Sequence, residues 1–296
     1  MHICVIGAGS IGMFLAARLA IQNSVILVDR HARERSLCQI KIVGKFETAQ
    51  DVVVTPYVEP AEIILVTTKA MDLVNVCRGL QQVGSTPIIF FQNGLGVNTL
   101  VRDLLPSRHV ARGLIWAGIT REGHKTVRCN GFSRIALVPL TSGYGGEDII
   151  QELKSTGLAT RTVQDEVRAE WEKALWNIGV NALCAVTRAK RNGVVIESPY
   201  LLELLRGIII EAEAIASKVG VQMDSFESIV DLTKATAGNT NSMVVDLMAL
   251  KATEIEFLNG YIVKLGASLN VATPFNLFAY NLVKFAETQS GVALTS

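Results

Sequence analysis

Two groups of residues have the types and spacing for chemistry. The first is Gly7, Gly9 and Gly12, a G-x-G-x-x-G that follows the apolar run 3–6 and precedes Ile11, Leu15 and Leu19 at helical spacing. Between a strand and a helix, Gly7 allows a tight turn and Gly9 lets a diphosphate approach bare backbone. Gly12 lets helix and strand pack closely, and the phosphates then lie at the positive end of the helix. The second group is Lys173, Asn177 and Asn181, spaced i, i+4, i+8. At about 100° per residue they drift only ~80° around a helix axis and share one face. Leu175, Ile178, Ala182 and Ala185 flank that stripe. A solvated face would more often hold Glu and Lys, so the asparagines either bind a ligand or satisfy helix–helix contacts.

The elements that must position these groups differ between the two halves of the chain. Short β-rich runs at 3–6, 25–28, 63–67, 88–91 and 110–116 alternate with helical segments, which predicts a doubly wound parallel sheet of the Rossmann type. Residues 126–139 read as an antiparallel pair around Asn130-Gly131, a closing hairpin. Beyond 166 the pattern is helical throughout, over about 167–185, 199–218, 224–236, 243–268 and 274–288. Gly220 reads as a helix stop, Asp224 and Ser242 as starts, and Pro274 as a first-turn residue. The expected organisation is an α/β dinucleotide-binding domain, 1–165, and an all-helical domain, 166–296.

Ligands of such sheets bind at the carboxyl ends of the strands. Those ends carry the glycine loop, Asp29-Arg30, Thr68-Lys69 and Gln92-Asn93-Gly94-Leu95-Gly96. Asp29 stands twenty residues beyond Gly9, the usual distance for a ribose contact. A carboxylate there favours the 2′-hydroxyl of NAD, whereas Arg30 favours the 2′-phosphate of NADP. The balance leans to NADP and leaves NAD open. For Asn93-Gly94 a plain turn, and for Lys69 a solvated charge, remain equal readings. Ser242 taken alone is a helix cap, and Glu254 alone a surface acid.

The 296 residues, 49% hydrophobic and 19% charged, describe a soluble globular protein. A net charge of +1 gives no reason to expect nucleic acid or an anionic membrane. The longest uncharged apolar stretch of the second half, 174–187, is too short to span a bilayer. The five cysteines form no C-x-x-C and have no nearby histidines, so no metal site is expected and a reducing cytoplasm is the natural compartment. Monomer and homodimer both remain open.

Taken together, the segments resemble the ketopantoate reductases (2-dehydropantoate 2-reductases) over nearly the whole chain. The resemblance rests on the glycine loop, Thr68-Lys69-Ala70, Gln92-Asn93-Gly94-Leu95-Gly96, Trp171-Glu172-Lys173 with Asn177 and Asn181, and Asn192-Gly193. Further along it continues in Ser242-Met243 with Asp246, Thr253-Glu254-Ile255, Asn259-Gly260 and Thr273-Pro274. It implies NADPH-dependent reduction of 2-dehydropantoate (ketopantoate) to pantoate in pantothenate biosynthesis, with Lys173 as the catalytic proton donor. It places Gly7, Ala8, Gly9, Ser10, Ile11, Gly12, Arg30, Lys69, Asn93, Ile119 (through backbone) and Glu254 at the cofactor. Asn93, Asn177, Asn181, Asn192 and Ser242 match substrate positions. The physics agrees: an ammonium stabilises the alkoxide that forms as hydride reaches the keto carbon, and neutral amides bind carboxylate and hydroxyl groups without competing charge. Two other functions stay in view. One is a related reductase of another branched 2-keto acid, for which Arg188, Lys190 and Arg191 are the hint. The other is a non-catalytic NADP(H) sensor, which would have no use for Lys173 beside paired amides.

Overall fold

The structure, a computed structural model, describes residues 1–141 and 146–289. The expected second domain runs to 296, and its last seven residues lie outside that description. The chain divides into two compact units: Met1–Gln92 with Val97–Glu166, and Asn93–Gly96 with the chain from Val167 onward.

The first unit opens with β1 (His2–Ile6), α1 (Ser10–Leu19) and β2 (Ser24–Val28). There follow β3 (Ser36–Gly44), β4 (Thr48–Thr55), β5 (Ile63–Val66), α2 (Leu73–Leu80), β6 (Ile88–Phe90) and α3 (Val97–Leu104). It closes with β7 (Val110–Arg121), β8 (Thr126–Pro139), α4 (Glu147–Ser155) and β9 (Thr160–Thr162). The sheet order is β3-β4-β2-β1-β5-β6-β7-β8-β9, and the central run from β4 to β7 is parallel throughout. Strands buried on both faces need continuous apolar runs, and β1 and β5 supply them.

Two corrections to the sequence reading concern this sheet. No hairpin forms at Asn130-Gly131: 126–139 is one strand, antiparallel to β7, with register shifts between Trp116 and Ala117 and between Gly118 and Ile119. The Asn-Gly pair marks a bulge, and the Asn130 amide donates to Thr120 Oγ1 at 2.9 Å. The pair β3–β4 was not anticipated, and β3 also pairs with the start of β8. The sheet therefore curls back on itself. Helix α1 is buried from Gly12 to Leu19, and even Arg18 is enclosed, its guanidinium 4.6 Å from the centre of the Phe46 ring.

The second unit is helical: α5 (Glu166–Thr187), α6 (Val194–Glu197), α7 (Pro199–Lys218), α8 (Phe226–Ala235), α9 (Ser242–Met248), α10 (Asn259–Ser268) and α11 (Pro274–Gln289). Helix α5 is buried without a break from Asn177 to Ala185. A Cβ on Gly179 would stand 2.4 Å from Leu205 Cδ1, so α7 packs on bare α5 backbone. Glu211 of α7 accepts from Phe275 N at 2.8 Å and Asn276 N at 2.9 Å, satisfying the first turn of α11. The expected single helix over 243–268 is a third correction. It breaks after α9, where Leu250 adopts φ +54°, and resumes through a 3-10 turn, Ile255–Phe257, into α10. Among the described residues, no helix is long and apolar enough to cross a membrane.

Candidate active site

In the first unit the glycine loop is fixed by backbone contacts that only glycine permits. Gly7 has φ +109°, and a Cβ on Gly12 would stand 1.8 Å from Gly7 O. Thr67 Oγ1 donates to Ile6 O at 3.0 Å and Gly7 O at 2.9 Å, bracing the turn from the neighbouring strand. Gly9 behaves differently: a Cβ there would meet nothing within 4 Å. Its absent side chain serves no internal packing and leaves space for a ligand. Gly9 is also the N-cap of α1 and no side chain caps the helix, so Ser10 and Ile11 lead a first turn whose N–H groups precede the helical ladder. Ala8 lies in the same loop. The residues present fit a diphosphate.

At the neighbouring strand ends, Asp29 Oδ1 accepts from His31 N at 2.9 Å, closing a local turn. Arg30 is exposed, with Asp72 at 3.9 Å as its ion-pair partner. Lys69 is half-buried and caps a 3-10 turn, Ala70–Asp72. Ile119, on β7, is half-buried against the core and opposite Cys129. Sequence reasoning missed Arg112, which is buried: its Nη1 donates to Asn98 Oδ1 at 2.8 Å and its Nη2 to Gln92 O at 2.6 Å. Gln92 Nε2 in turn donates to Val66 O and Thr68 O, so the end of β6 is held by buried polar contacts.

In the second unit α5 carries half-buried Lys173 and buried Asn177 and Asn181. Asn181 Nδ2 lies 3.5 Å from Asn177 Oδ1. Asn192, also buried, joins the same cluster through Asn241, whose Nδ2 donates to Asn181 Oδ1 at 2.9 Å and Asn192 Oδ1 at 3.1 Å. The sequence points to Ser242 as the cap of α9 and gives no sign of Asn241. The cap is Asn241, whose Oδ1 accepts from Met243 N at 3.1 Å. Ser242 is the first residue of α9 and is exposed, outside the amide network. Asn177 Nδ2 is buried and has no hydrogen-bond partner. Such a donor is costly unless something fills it.

Asn93 belongs to this unit, and its Nδ2 lies 3.3 Å from Glu254 Oε2. Glu254 is buried in the break between α9 and α10 rather than on a helix. Its neighbour Thr253 is locked, since Thr253 N and Oγ1 each donate to Glu287 Oε1 at 2.7 Å. Lys284 holds the other Glu287 oxygen at 2.9 Å. Nearby, burial works to raise the Glu256 carboxyl, but the Tyr280 hydrogen bond and the Lys264 and Lys284 ammoniums outweigh it and hold it below its usual range. Among the described residues no cluster of His, Cys, Asp or Glu could hold a metal ion.

A curled, mostly parallel sheet with a bare glycine loop, followed along the chain by a helical unit with an amide cluster, defines a two-unit α/β protein whose loop has the shape of a dinucleotide-binding turn. Residues 3–142 match the family model described as ketopantoate reductase PanE/ApbA, and residues 166–287 match its C-terminal counterpart. The chain belongs to the ketopantoate reductase PanE/ApbA family of oxidoreductases. The 2-dehydropantoate 2-reductase of Archaeoglobus fulgidus is 28% identical over 288 residues, 96% of this chain and 97% of that one. The crystal structure of a PanE/ApbA family ketopantoate reductase from Ralstonia eutropha superposes with a TM-score of 0.87 at 23% identity, covering 98% and 100% of the two chains. The ternary structure of D-mandelate dehydrogenase with NADH and anilino(oxo)acetate also gives 0.87, at 24% identity, over 99% and 100%. The last two are likenesses of fold.

Proposed function

We propose that the chain reduces 2-dehydropantoate to pantoate with NADPH, a step of pantothenate synthesis in the cytoplasm. The first domain, 1–165, would bind the dinucleotide and the second, 166–296, the keto acid. Gly7 to Gly12 would hold the diphosphate, with Lys69, Asn93, Glu254 and the backbone of Ile119 as further cofactor contacts. Arg30, exposed and with a long 3.9 Å ion pair to Asp72, can turn to a 2′-phosphate, while Asp29 Oδ1 is engaged by the backbone N of His31, which supports NADPH over NADH. A reduced nicotinamide bound there would supply the hydride. Lys173 then protonates the keto oxygen as its charge develops, and its ammonium stabilises that charge. Asn177, Asn181 and Asn192 hold the substrate's carboxylate and hydroxyl groups, with Ser242 at the edge of that surface.

The observation that carries this reading is the open Nδ2 of Asn177, a buried donor one helical turn from Lys173. A carboxylate or hydroxyl oxygen is the partner it lacks. A second reading is reduction of a different branched 2-keto acid. It draws on Arg188 and Lys190, exposed in the segment whose Lys190 O accepts from Asn241 N at 3.0 Å, whereas Arg191 is paired with Glu197. Oxidation of NADPH, and of NADH, with ketopantoate and a panel of other 2-keto acids tests both. Turnover on ketopantoate supports the first reading, and turnover only on another keto acid the second. Lys173→Ala should lose about 10²- to 10⁴-fold in rate and keep cofactor. Cofactor binding with no turnover on any keto acid would leave a sensor.

A further inference from the structure

Arg121 ends β7, and all three of its nitrogens donate to backbone carbonyls: Nε to Gly123 O at 2.8 Å, Nη1 to Ala8 O at 3.1 Å and Nη2 to His124 O at 3.3 Å. The first and last contacts pin the guanidinium to its own turn, and the second sets it against the glycine loop. Among the described residues it has no ion-pair partner. Neighbouring Glu122 pairs instead with Arg128, and Arg35 and Arg102 likewise find glutamates. An exposed guanidinium carries five N–H donors, so these three bonds leave two. A cation that is not neutralised, and is held rigidly beside the loop whose Gly9 faces open space, is arranged for an anion. Arg121 also lies two residues beyond Ile119, on the same face of the strand.

We propose that Arg121 is a cofactor-binding residue that takes the diphosphate of the dinucleotide, opposite the first-turn N–H groups of α1. The inference rests on the dinucleotide reading of the glycine loop and deepens it. Ala8 O holds the guanidinium in place before the ligand arrives, so little side-chain freedom is lost on binding. The diphosphate is common to NADPH and NADH, so Arg121 contributes affinity to both. Arg30, by contrast, distinguishes the 2′-phosphate.

The test is equilibrium binding of NADPH, followed by its fluorescence, to the full chain and to Arg121→Gln and Arg121→Lys at low and high salt. Adenosine 2′-monophosphate, which lacks the diphosphate, is titrated beside it. Arg121→Gln should weaken NADPH about 10- to 100-fold and flatten its salt dependence. Arg121→Lys should recover most of the loss, and affinity for adenosine 2′-monophosphate should stay within about twofold in both. Unchanged NADPH affinity in Arg121→Gln would overturn the proposal. So would equal losses in the Lys and Gln variants, or parallel loss of adenosine 2′-monophosphate, since both describe a residue that only shapes the loop. Failure of the unaltered chain to bind either dinucleotide would instead overturn the reading on which the proposal rests.

Discussion

Asn241 Nδ2 lies 2.9 Å from Asn181 Oδ1, and this contact gives the amide cluster a direction. With its oxygen facing Asn241, Asn181 presents its nitrogen to Asn177 Oδ1, and Asn177 is left presenting a donor. The helix cap of α9 thus sets the polarity of a group on α5. Asn241→Asp preserves the shape and the cap but removes both donations. Asn181 must then turn its nitrogen toward position 241, and Asn177 turns in response. The expected result is a rise in KM for the keto acid of about 10- to 100-fold, the scale of a lost hydrogen bond to a charged group, with NADPH affinity unchanged. Steady-state kinetics with a parallel NADPH titration separates the two.

The glycines of the loop make a contrasting pair. In Gly12→Ala the new carbon would overlap Gly7 O, so helix and strand must part, and a loss of about 1–3 kcal/mol or more is expected. In Gly9→Ala the carbon meets nothing within 4 Å, so melting should be near that of the unaltered chain. Its NADPH binding should nonetheless fall at least tenfold, because the carbon occupies the space the diphosphate needs. Thermal melting and NADPH titration of both variants check this; normal binding by Gly9→Ala would count against the loop as the diphosphate site.

Alkaline stability should depend on Tyr280. Burial, then the hydrogen bond to Glu256 Oε1 at 2.7 Å, pushes its hydroxyl from an ordinary 10.0 up to about 12. A group raised in the folded state contributes stability that is full below its unfolded value and is lost as the pH climbs through the folded one. Urea unfolding should therefore show stability falling between about pH 10 and 12, and Tyr280→Phe should flatten that limb. Glu256, held low, has the opposite sign: its contribution is present above the usual carboxylate range and disappears in acid, and Tyr280→Phe should shrink it as well.

Thiol reactivity should single out Cys38. All five cysteines are free, and Cys4, Cys77, Cys129 and Cys184 are buried. Burial pushes Cys4 and Cys77 up to about 11 and Cys184 to about 12, so little thiolate forms at neutral pH. Cys38, half-buried on β3, should react with Ellman's reagent in the native protein, and the other four only after unfolding. Two or more fast thiols would mean that one of the cores opens readily.

The parallel strands were legible because a strand buried on both faces must be continuously apolar, as 3–6 and 63–66 are. The glycine loop was legible because its constraints are local. The pair β3–β4 was not: its alternating burial, with Ile40 and Ile42 inside and Lys41 outside, depends on pairing with distant β8 as well as with β4, and a single glycine, Gly44 at φ +96°, is all that marks the turn between them. Asn130-Gly131 carries the composition of a hairpin turn, but a bulge in a long strand uses the same residues. The break at Leu250 has neither glycine nor proline, and the left-handed residue there is a leucine. Of the amide cluster, Asn177 and Asn181 could be read from helical spacing. Asn241 could not, since its link to them spans 60 residues.

The four residues 93–96 fall in the helical unit although the chain on both sides of them lies in the sheet unit. The polypeptide therefore passes from one unit to the other at 92/93, 96/97 and 166/167. A gene fused from two relatives at position 166 would take Asn93 from one parent and Glu254 from the other. The helical half is not a cassette: to transplant it whole, a graft must carry four residues inherited from the opposite half.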